Sequence, residues 1–255
     1  MISAMELHRA LDRAIPRSLS AEWDNDGLMC CPSPEKSVNR VLVTLDITER
    51  VIEHAIHGGF DVILSHHPLV FRPVKAIDPQ NAVPRKLITL IRNNICAMSF
   101  HTRFDALSGG VNDALADALG LQDAKPFGGE GEQPMGRIGD VTPCTLAEFS
   151  EQVKNTLKTP FVLCSGELPV RRVAVLGGGG EDFIAAAKAA GADTYLSGRL
   201  GYHQMSEAKE IGINLIEAGH YYTENVALPR LASLVKDADS DIITEIMDSI
   251  EISAI

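Results

Sequence analysis

The chain has 255 residues, 45% of them hydrophobic and 22% charged, a composition typical of one large or two small globular domains and not of a disordered chain. The formal net charge of −11 argues against a surface that binds nucleic acid directly. No apolar run reaches the ~18 residues of a membrane span, and the charged N-terminus lacks the apolar core of a signal peptide. Five cysteines without a CxxC pair indicate reduced thiols and a cytoplasmic protein.

The first half of the chain is predicted to alternate strands and helices. Apolar periodicity predicts helices over 3–14, 49–59, 84–93 and 112–121, and buried strands over 40–47, 61–68 and 95–100. The segment AEWDNDGL, at 21–28, is dense in turn residues and is predicted to be a loop. Strand–helix–strand alternation indicates parallel strands that are joined by crossover helices.

The second half continues the same pattern after a segment rich in Gly and Pro at 127–136, which is predicted to be a hinge. Beyond it we expect helices near 145–157, 181–192 and 203–211, strands over 171–178 and 193–198, a strand running into a helix over 213–225, and a C-terminal strand over 242–252. The predicted fold class is therefore α/β.

The two halves also resemble each other in sequence. With a shift of 132 residues, RVLVTLDITERVIEHAIHGGFDVILS (40–65) aligns without gaps with RVAVLGGGGEDFIAAAKAAGADTYLS (172–197), and ten positions are identical. Identity at strand–helix–strand spacing predicts an internal duplication, although two unrelated units of this kind also share apolar periodicity. The halves differ after the second aligned strand, where His66-His67 corresponds to Gly198-Arg199. Unequal site residues on a duplicated scaffold predict one composite site.

Each half carries a histidine and an acid four residues apart, after a buried strand. With a shift of 119 residues, His101-x3-Asp105 aligns with His220-x3-Glu224. Open α/β sheets bind ligands beyond the carboxyl ends of their strands. The candidate site residues that follow predicted strands are His66, His67, His101, Asp105, His220 and Glu224.

Imidazole and carboxylate groups suit Zn, Fe, Mn, Co or Ni, and two acids among four histidines are enough for two metal ions. Simpler alternatives exist. A histidine near a strand end can serve only as a structural hydrogen-bond partner, and His220 with Glu224 can be a helix pair worth a few tenths of a kcal/mol. The segment LGGGGED, at 176–182, fits either a phosphate-binding loop or a tight strand-to-helix turn.

Three longer motifs, SHHPLVFRPVKAI (65–77), FHTRFDALSGGVNDALADALGL (100–121) and LIEAGHYYTEN (215–225), together with AEWDNDGL, resemble the signatures of a known family in the same order. This is the family of NGG-one-interacting-factor-like proteins, also called GTP cyclohydrolase type 2 homologues. The resemblance covers nearly the whole chain. It implies two related α/β domains, 1–126 plus 219–255 and 127–218, with a dinuclear metal site in the cleft between them. The implied metal ligands are His66, His67, Asp105, His220 and Glu224.

The resemblance also implies a function. We expect a hydrolase with two divalent metal ions that acts on a nucleotide-like small molecule, and the named candidate is opening of the guanine imidazole ring of GTP by water that attacks C8. His101, beside the metals, is the expected general acid or base. Arg103 and Arg199, which depart from the family pattern, are candidate phosphate ligands. A ring-shaped homohexamer of the form without a large insert is expected. The alternatives are a metal-binding scaffold without turnover and a metal-dependent phosphoesterase.

Overall fold

The computed structural model describes residues 1–128 and 134–253, so the predicted hinge at 127–136 lies in part outside the described residues. The chain divides into two compact units. The first consists of Met1–Phe104 and Leu228–Glu251, and the second contains Asp105–Ala227. Among the described residues no helix has both the length and the apolar character needed to cross a membrane. All five cysteines lie in the described ranges as free thiols.

The regular elements alternate along most of the chain. The strands are β1 (Gly27–Cys30), β2 (Arg40–Thr44), β3 (Val62–Ser65), β4 (Cys96–Ser99), β5 (Gln122–Phe127), β6 (Gly136–Cys144), β7 (Leu163–Ser165), β8 (Val170–Gly179), β9 (Thr194–Arg199), β10 (Asn214–Glu217) and β11 (Ile243–Ile246). The α-helices are α1 (Ala4–Ala14), α2 (Glu49–His57), α3 (Ala82–Arg92), α4 (Thr102–Ala106), α5 (Val111–Ala118), α6 (Leu146–Leu157), α7 (Ile184–Ala189), α8 (Tyr202–Ile211), α9 (His220–Asn225) and α10 (Leu228–Ala238).

The first unit is built on a five-stranded sheet with the order β1-β4-β3-β2-β11. Strands β4, β3, β2 and β11 are parallel, and β1 pairs with β4 in the antiparallel sense at one edge. Helices α2 and α3 contribute to one apolar core with alternate residues of the strands, among them Leu42 and Ile63. Val41 and Val43, on the opposite face of β2, are also fully buried, and α10 contacts β2 and β11. Buried on both faces, these strands read as continuous apolar runs.

The second unit contains a six-stranded sheet with the order β5-β6-β8-β9-β10-β7. Its three central strands β8, β9 and β10 are parallel. Alternate residues of β8 enter two separate cores, because successive side chains of a strand point to opposite faces. Val173 and Val175 pack with residues of α5 and α6, whereas Ala174 and Leu176 pack with residues of α7 and α8. Helices therefore cover both faces of this sheet as well.

Corresponding aspartates fasten the strands in the two units. Asp61 accepts hydrogen bonds from the backbone amides of Asn39 and Arg40, at 2.8 and 3.1 Å. Asp193 accepts equivalent bonds from the amides of residues 171–172, at 3.0 and 2.9 Å. The two aspartates are aligned by the shift of 132 residues, so the same pattern of carboxylate-to-amide hydrogen bonds occurs at the corresponding position of each unit. The common origin of the two units itself stays a prediction.

The unit boundaries differ from the predicted domains 1–126 plus 219–255 and 127–218. Strand β5 pairs with β6, which makes residues 122–127 part of the second sheet. Helix α5 contacts β6 and β8, and α9 contacts β8 and β9, so both helices also belong to the second unit. The chain returns to the first unit at Leu228, where α10 begins.

Candidate metal centre

Three histidines meet at the carboxyl ends of β3 and β4. The two strands are parallel and end in register, with Ser65 opposite Ser99. His66 and His67 follow the first strand and His101 follows the second, so the register brings the three imidazoles together. Their ring centroids lie 5.0 to 5.6 Å apart, and each ring offers a ligand atom within 4.8 Å of the other two. His66 is almost fully buried.

An oxygen atom holds the Nδ1 nitrogen of each of these rings. His66 Nδ1 lies 2.9 Å from the carbonyl oxygen of Phe100, His67 Nδ1 lies 2.8 Å from Asp46 Oδ1, and His101 Nδ1 lies 2.9 Å from Asp24 Oδ1. Carbonyl and ionised carboxylate oxygens only accept hydrogen bonds, so each Nδ1 carries the proton. In the neutral ring the lone pair is then on Nε2. This is the arrangement that orients histidines as metal ligands, and the donor set fits a divalent transition metal.

The loop between α1 and β1 supplies two aspartates that hold the segment around His101. Asp24 accepts from Thr102 as well as from His101, with the backbone amide at 3.0 Å and the hydroxyl at 2.6 Å. Burial alone would raise the pKa of Asp24, but these hydrogen bonds outweigh it and lower the pKa to about 2. Asp26 accepts from the backbone amide of His101 at 3.3 Å and from Arg103 Nε at 2.9 Å. The sequence of this segment predicts only a turn and part of a longer motif, and it predicts no role for either aspartate.

Arg103 does not bind a ligand phosphate, contrary to the prediction. Its side chain is fully buried, and its guanidinium donates to Asp26, to Asp12 at 2.7 Å and to the carbonyl oxygen of Ile15 at 2.8 Å. It also stacks over the ring of Phe100, with 4.3 Å from its central carbon to the ring centroid. Arg103, two residues after His101, is therefore a structural cation. Arg199 is exposed, and its role in phosphate binding stays a prediction.

The second unit contributes a different set of donors. Helix α9 follows β10 directly, and its first residue, His220, lies one turn before Glu224, with 3.1 Å between Nε2 and Oε2. A carboxylate oxygen of Asp105 and one of Glu224 lie within 4.8 Å of each other. Glu224 is buried, whereas His220 is exposed. The second unit thus places one imidazole and two carboxylates together, which again suits a divalent metal.

The glycine run at the end of β8 makes room for this set. A Cβ at Gly178, where φ is +70°, would lie only 2.2 Å from Glu224 Oε1 and 3.2 Å from His220 Nε2. Three of the four amides of the run are already used: Gly177 donates to Asn112 Oδ1, Gly178 to the Thr223 hydroxyl, and Gly180 to a backbone carbonyl. With these donors occupied, the run serves as a tight strand-to-helix turn beside the carboxylate, and the phosphate-binding alternative loses its support.

Comparison with known proteins places the chain in a family. Residues 2–251 match the family Duf34/NIF3 (NGG1p interacting factor 3), and the chain belongs to this family. It is 36% identical over 236 residues to a protein of Clostridium perfringens named GTP cyclohydrolase 1 type 2 homolog, covering 89% of each chain. A Streptococcus pneumoniae protein of the same name is 32% identical over 248 residues, covering 93% of this chain and 92% of the other.

Solved structures share the fold. A Staphylococcus aureus protein superposes with a TM-score of 0.90 at 26% identity, covering 100% of this chain and 99% of the other. A Bacillus cereus protein described as related to NIF3 superposes with a TM-score of 0.89 at 24% identity, covering 99% of each chain. The α/β fold with two sheets is therefore that of the NIF3 family.

Proposed function

We propose that the donors of the two units form one dinuclear centre that binds two divalent metal ions per chain, of Zn, Fe, Mn, Co or Ni. The observation that carries this proposal is the histidine pair that follows β3, because the Nδ1 of His66 and of His67 is held by an oxygen and Nε2 is then the nitrogen that would bind a metal. The buried carboxylate of Glu224, beside Asp105 and His220, supplies the anionic ligands that a pair of cations requires.

The reaction that we propose is hydrolysis of a nucleotide-like substrate, with opening of the guanine imidazole ring of GTP as the named candidate. This candidate rests on the names of the relatives. Bound metal ions would supply Lewis acidity and an activated water near neutral pH. Asp24 fixes the proton of His101 on Nδ1, so His101 Nε2 is the atom that would accept or donate a proton as general base or acid. We also propose that the protein is cytoplasmic and assembles as a homohexamer, which native mass spectrometry tests.

Elemental analysis of untagged protein tests the metal centre. Wild-type protein should hold about two metal ions per chain, and His67→Ala/Glu224→Ala should lose them, because it removes one donor from each unit. His203→Ala, an exposed histidine outside the donor sets, is the matched control and should keep both ions. Equal metal content in the double variant and the wild type, after supplementation, would refute the dinuclear centre.

A nucleotide panel then separates the reactions. Ring opening removes the guanine absorbance, and hydrolysis of the resulting formamide by a second water releases formate, whereas a phosphoesterase releases phosphate and leaves the purine intact. Two bound metals without any product would favour a scaffold protein. His101→Ala should keep both metals and lose roughly a hundredfold or more in turnover if His101 transfers a proton. If the variant loses a metal ion instead, His101 is a ligand and the acid–base role is wrong.

A further inference from the structure

Two exposed aromatic side chains stand beside the histidines of the first unit. Trp23 is 65% exposed and Phe71 is 45% exposed. Their ring centroids are 6.1 Å apart, and each lies 6.2 Å from the imidazole of His101, with interplanar angles of 73° to 88°. The three rings meet edge to face, a favourable geometry for aromatic groups that leaves ring faces open to solvent. Large apolar surface next to a polar site commonly marks a binding surface.

These aromatics are held in place by the loops that carry them. The residue after Trp23 is Asp24, whose carboxylate is fixed by His101 and Thr102. The side-chain amide of Asn25 donates to the carbonyl oxygen of Val70, the residue before Phe71. This hydrogen bond joins the two loops. The exposed rings are therefore anchored through their neighbouring residues. Such preorganisation lowers the entropic cost of binding a ligand.

Phe71 also lines an open cleft of about 490 Å³, within the size range of small-molecule sites. The cleft wall is mostly apolar and carries two exposed cations, Arg72 and Lys75. In the described part of the chain no ion pair is found for either cation. Two cations on one wall, in a chain with a net charge of −11, form a local positive site that attracts an anionic group.

We propose that this surface binds a purine nucleotide, with the base against Trp23 and Phe71 and the phosphates at Arg72 and Lys75. An aromatic ring joined to a polyanion matches the two chemistries that the surface offers. Because Phe71 contacts both His101 and the cleft, the base lies at the histidines and the phosphates lie toward the cations. This orientation rests on the proposed function and deepens it: the base, and not the phosphate chain, faces the site of reaction, as ring opening requires.

The chain contains a single tryptophan, so fluorescence excited at a wavelength that tyrosine does not absorb reports on Trp23 alone. We would titrate wild-type protein with GTP, ATP, guanosine and tripolyphosphate, both with added metal and after treatment with chelator. GTP and ATP should change the emission with Kd values within a few-fold of each other, because stacking tolerates any base. Guanosine should change the emission at higher concentration. Tripolyphosphate should compete with GTP and leave the emission nearly unchanged, because it has no ring.

Variants locate the two parts of the ligand. Phe71→Ala should raise the Kd for GTP roughly tenfold and raise that for guanosine by a similar factor. Arg72→Ala/Lys75→Ala should weaken GTP binding roughly tenfold at low salt, with a smaller loss at high salt and little effect on guanosine. Phe161→Ala and Arg92→Ala/Lys125→Ala remove comparable exposed groups elsewhere and should leave both Kd values unchanged. Circular dichroism confirms that each variant is folded.

The inference is overturned if no nucleotide changes the Trp23 emission, or if the Kd values are unchanged in both the Phe71 and the Arg72/Lys75 variants. These outcomes are distinct from failure of the proposed function. Binding that depends on Phe71 without any turnover would refute the hydrolase and keep the nucleotide surface. Turnover of GTP by wild-type and Phe71→Ala protein with equal KM would keep the hydrolase and refute the surface.

Discussion

Removal of the buried guanidinium of Arg103 should destabilise the first unit strongly, and Arg103→Met is the substitution that tests this. Methionine fills a similar volume but leaves the carboxylate of Asp26, whose side chain is only 1% exposed, without its cation. The neighbouring Asp12 is 33% exposed and can be hydrated instead, so its loss of a partner costs less. The carbonyl oxygen of Ile15 loses a hydrogen bond as well.

The expected magnitude follows from this burial. Breaking a buried ion pair by removing one partner costs about 3–5 kcal/mol, because the remaining charge is left uncompensated. For a chain of this size a loss of 3–5 kcal/mol corresponds to a decrease in Tm of roughly 6–20 °C. Asp26 keeps its hydrogen bonds from the amide of His101 and the hydroxyl of Ser20, which favours the lower part of the range.

Urea unfolding followed by Trp23 fluorescence measures the effect in the unit that contains the substitution. The matched control is Arg172→Met, because Arg172 pairs with Asp140 on the surface, with side chains 39% and 56% exposed, and should contribute less than about 1 kcal/mol. Adding Asp26→Asn to Arg103→Met should recover part of the loss by removing the stranded charge. If Arg103→Met unfolds within about 1 kcal/mol of the control, the buried charge cluster is not what holds this region together.

Two further substitutions address the aspartates. Asp24→Asn should lower turnover about 10- to 100-fold and leave both metal ions bound, because an uncharged amide orients the proposed acid–base residue His101 less firmly; unchanged turnover would remove Asp24 from the centre. Asp61→Asn should cost about 1–3 kcal/mol of unfolding free energy at pH 7. Burial raises the pKa of Asp61, but hydrogen bonds from Lys36 and from the amides of residues 39–40 lower it overall. The contribution of Asp61 is therefore present above its pKa in the unfolded chain and is lost as the pH falls through the lower folded value. Urea unfolding should show that Asp61→Asn destabilises the protein less at pH 3 than at pH 7. An equal loss of unfolding free energy at both pH values would contradict this reasoning.

The sequence was sufficient for the parallel core of each unit. Strands β2, β3, β8 and β9 each contain an apolar run that is buried on both faces, and each is followed along the chain by a helix. Such patterns are local, so they can be read without tertiary information. Helix α10 is not among the predicted elements, although Leu228, Leu231 and Val235 follow helical spacing. That apolar spacing is a local pattern that would have predicted the helix.

Of the edge strands, β11 lies within the predicted C-terminal strand over 242–252, whereas β1, β5 and β7 were missed for a physical reason. Strand β5 is exposed over five of its six residues, so its sequence carries no apolar alternation, and its pairing with β6 depends on non-local backbone hydrogen bonds. The roles of Asp24 and Asp26 could not be predicted for a similar reason.

Locally, both aspartates are typical turn residues. Their hydrogen-bond partners, His101 and Arg103, are 77 residues away in the sequence. Arg103 looked like a site residue because it lies near His101, and only the tertiary contacts show its burial.

The two scaffolds also explain why their donor sets are unequal. Position 66 in the first unit corresponds to Gly198 in the second, where a Cβ would lie 2.5 Å from the Thr223 hydroxyl and 2.7 Å from the Cα of His220. Helix α9 therefore occupies the space that a histidine at position 198 would need. The second unit can present its imidazole only from the start of α9, and the same helix brings Glu224 beside it. In the first unit, His66 follows β3 at the position that corresponds to Gly198, and His101 follows β4. The close approach of α9 to Gly198 therefore accounts for the imidazole that the end of β9 lacks.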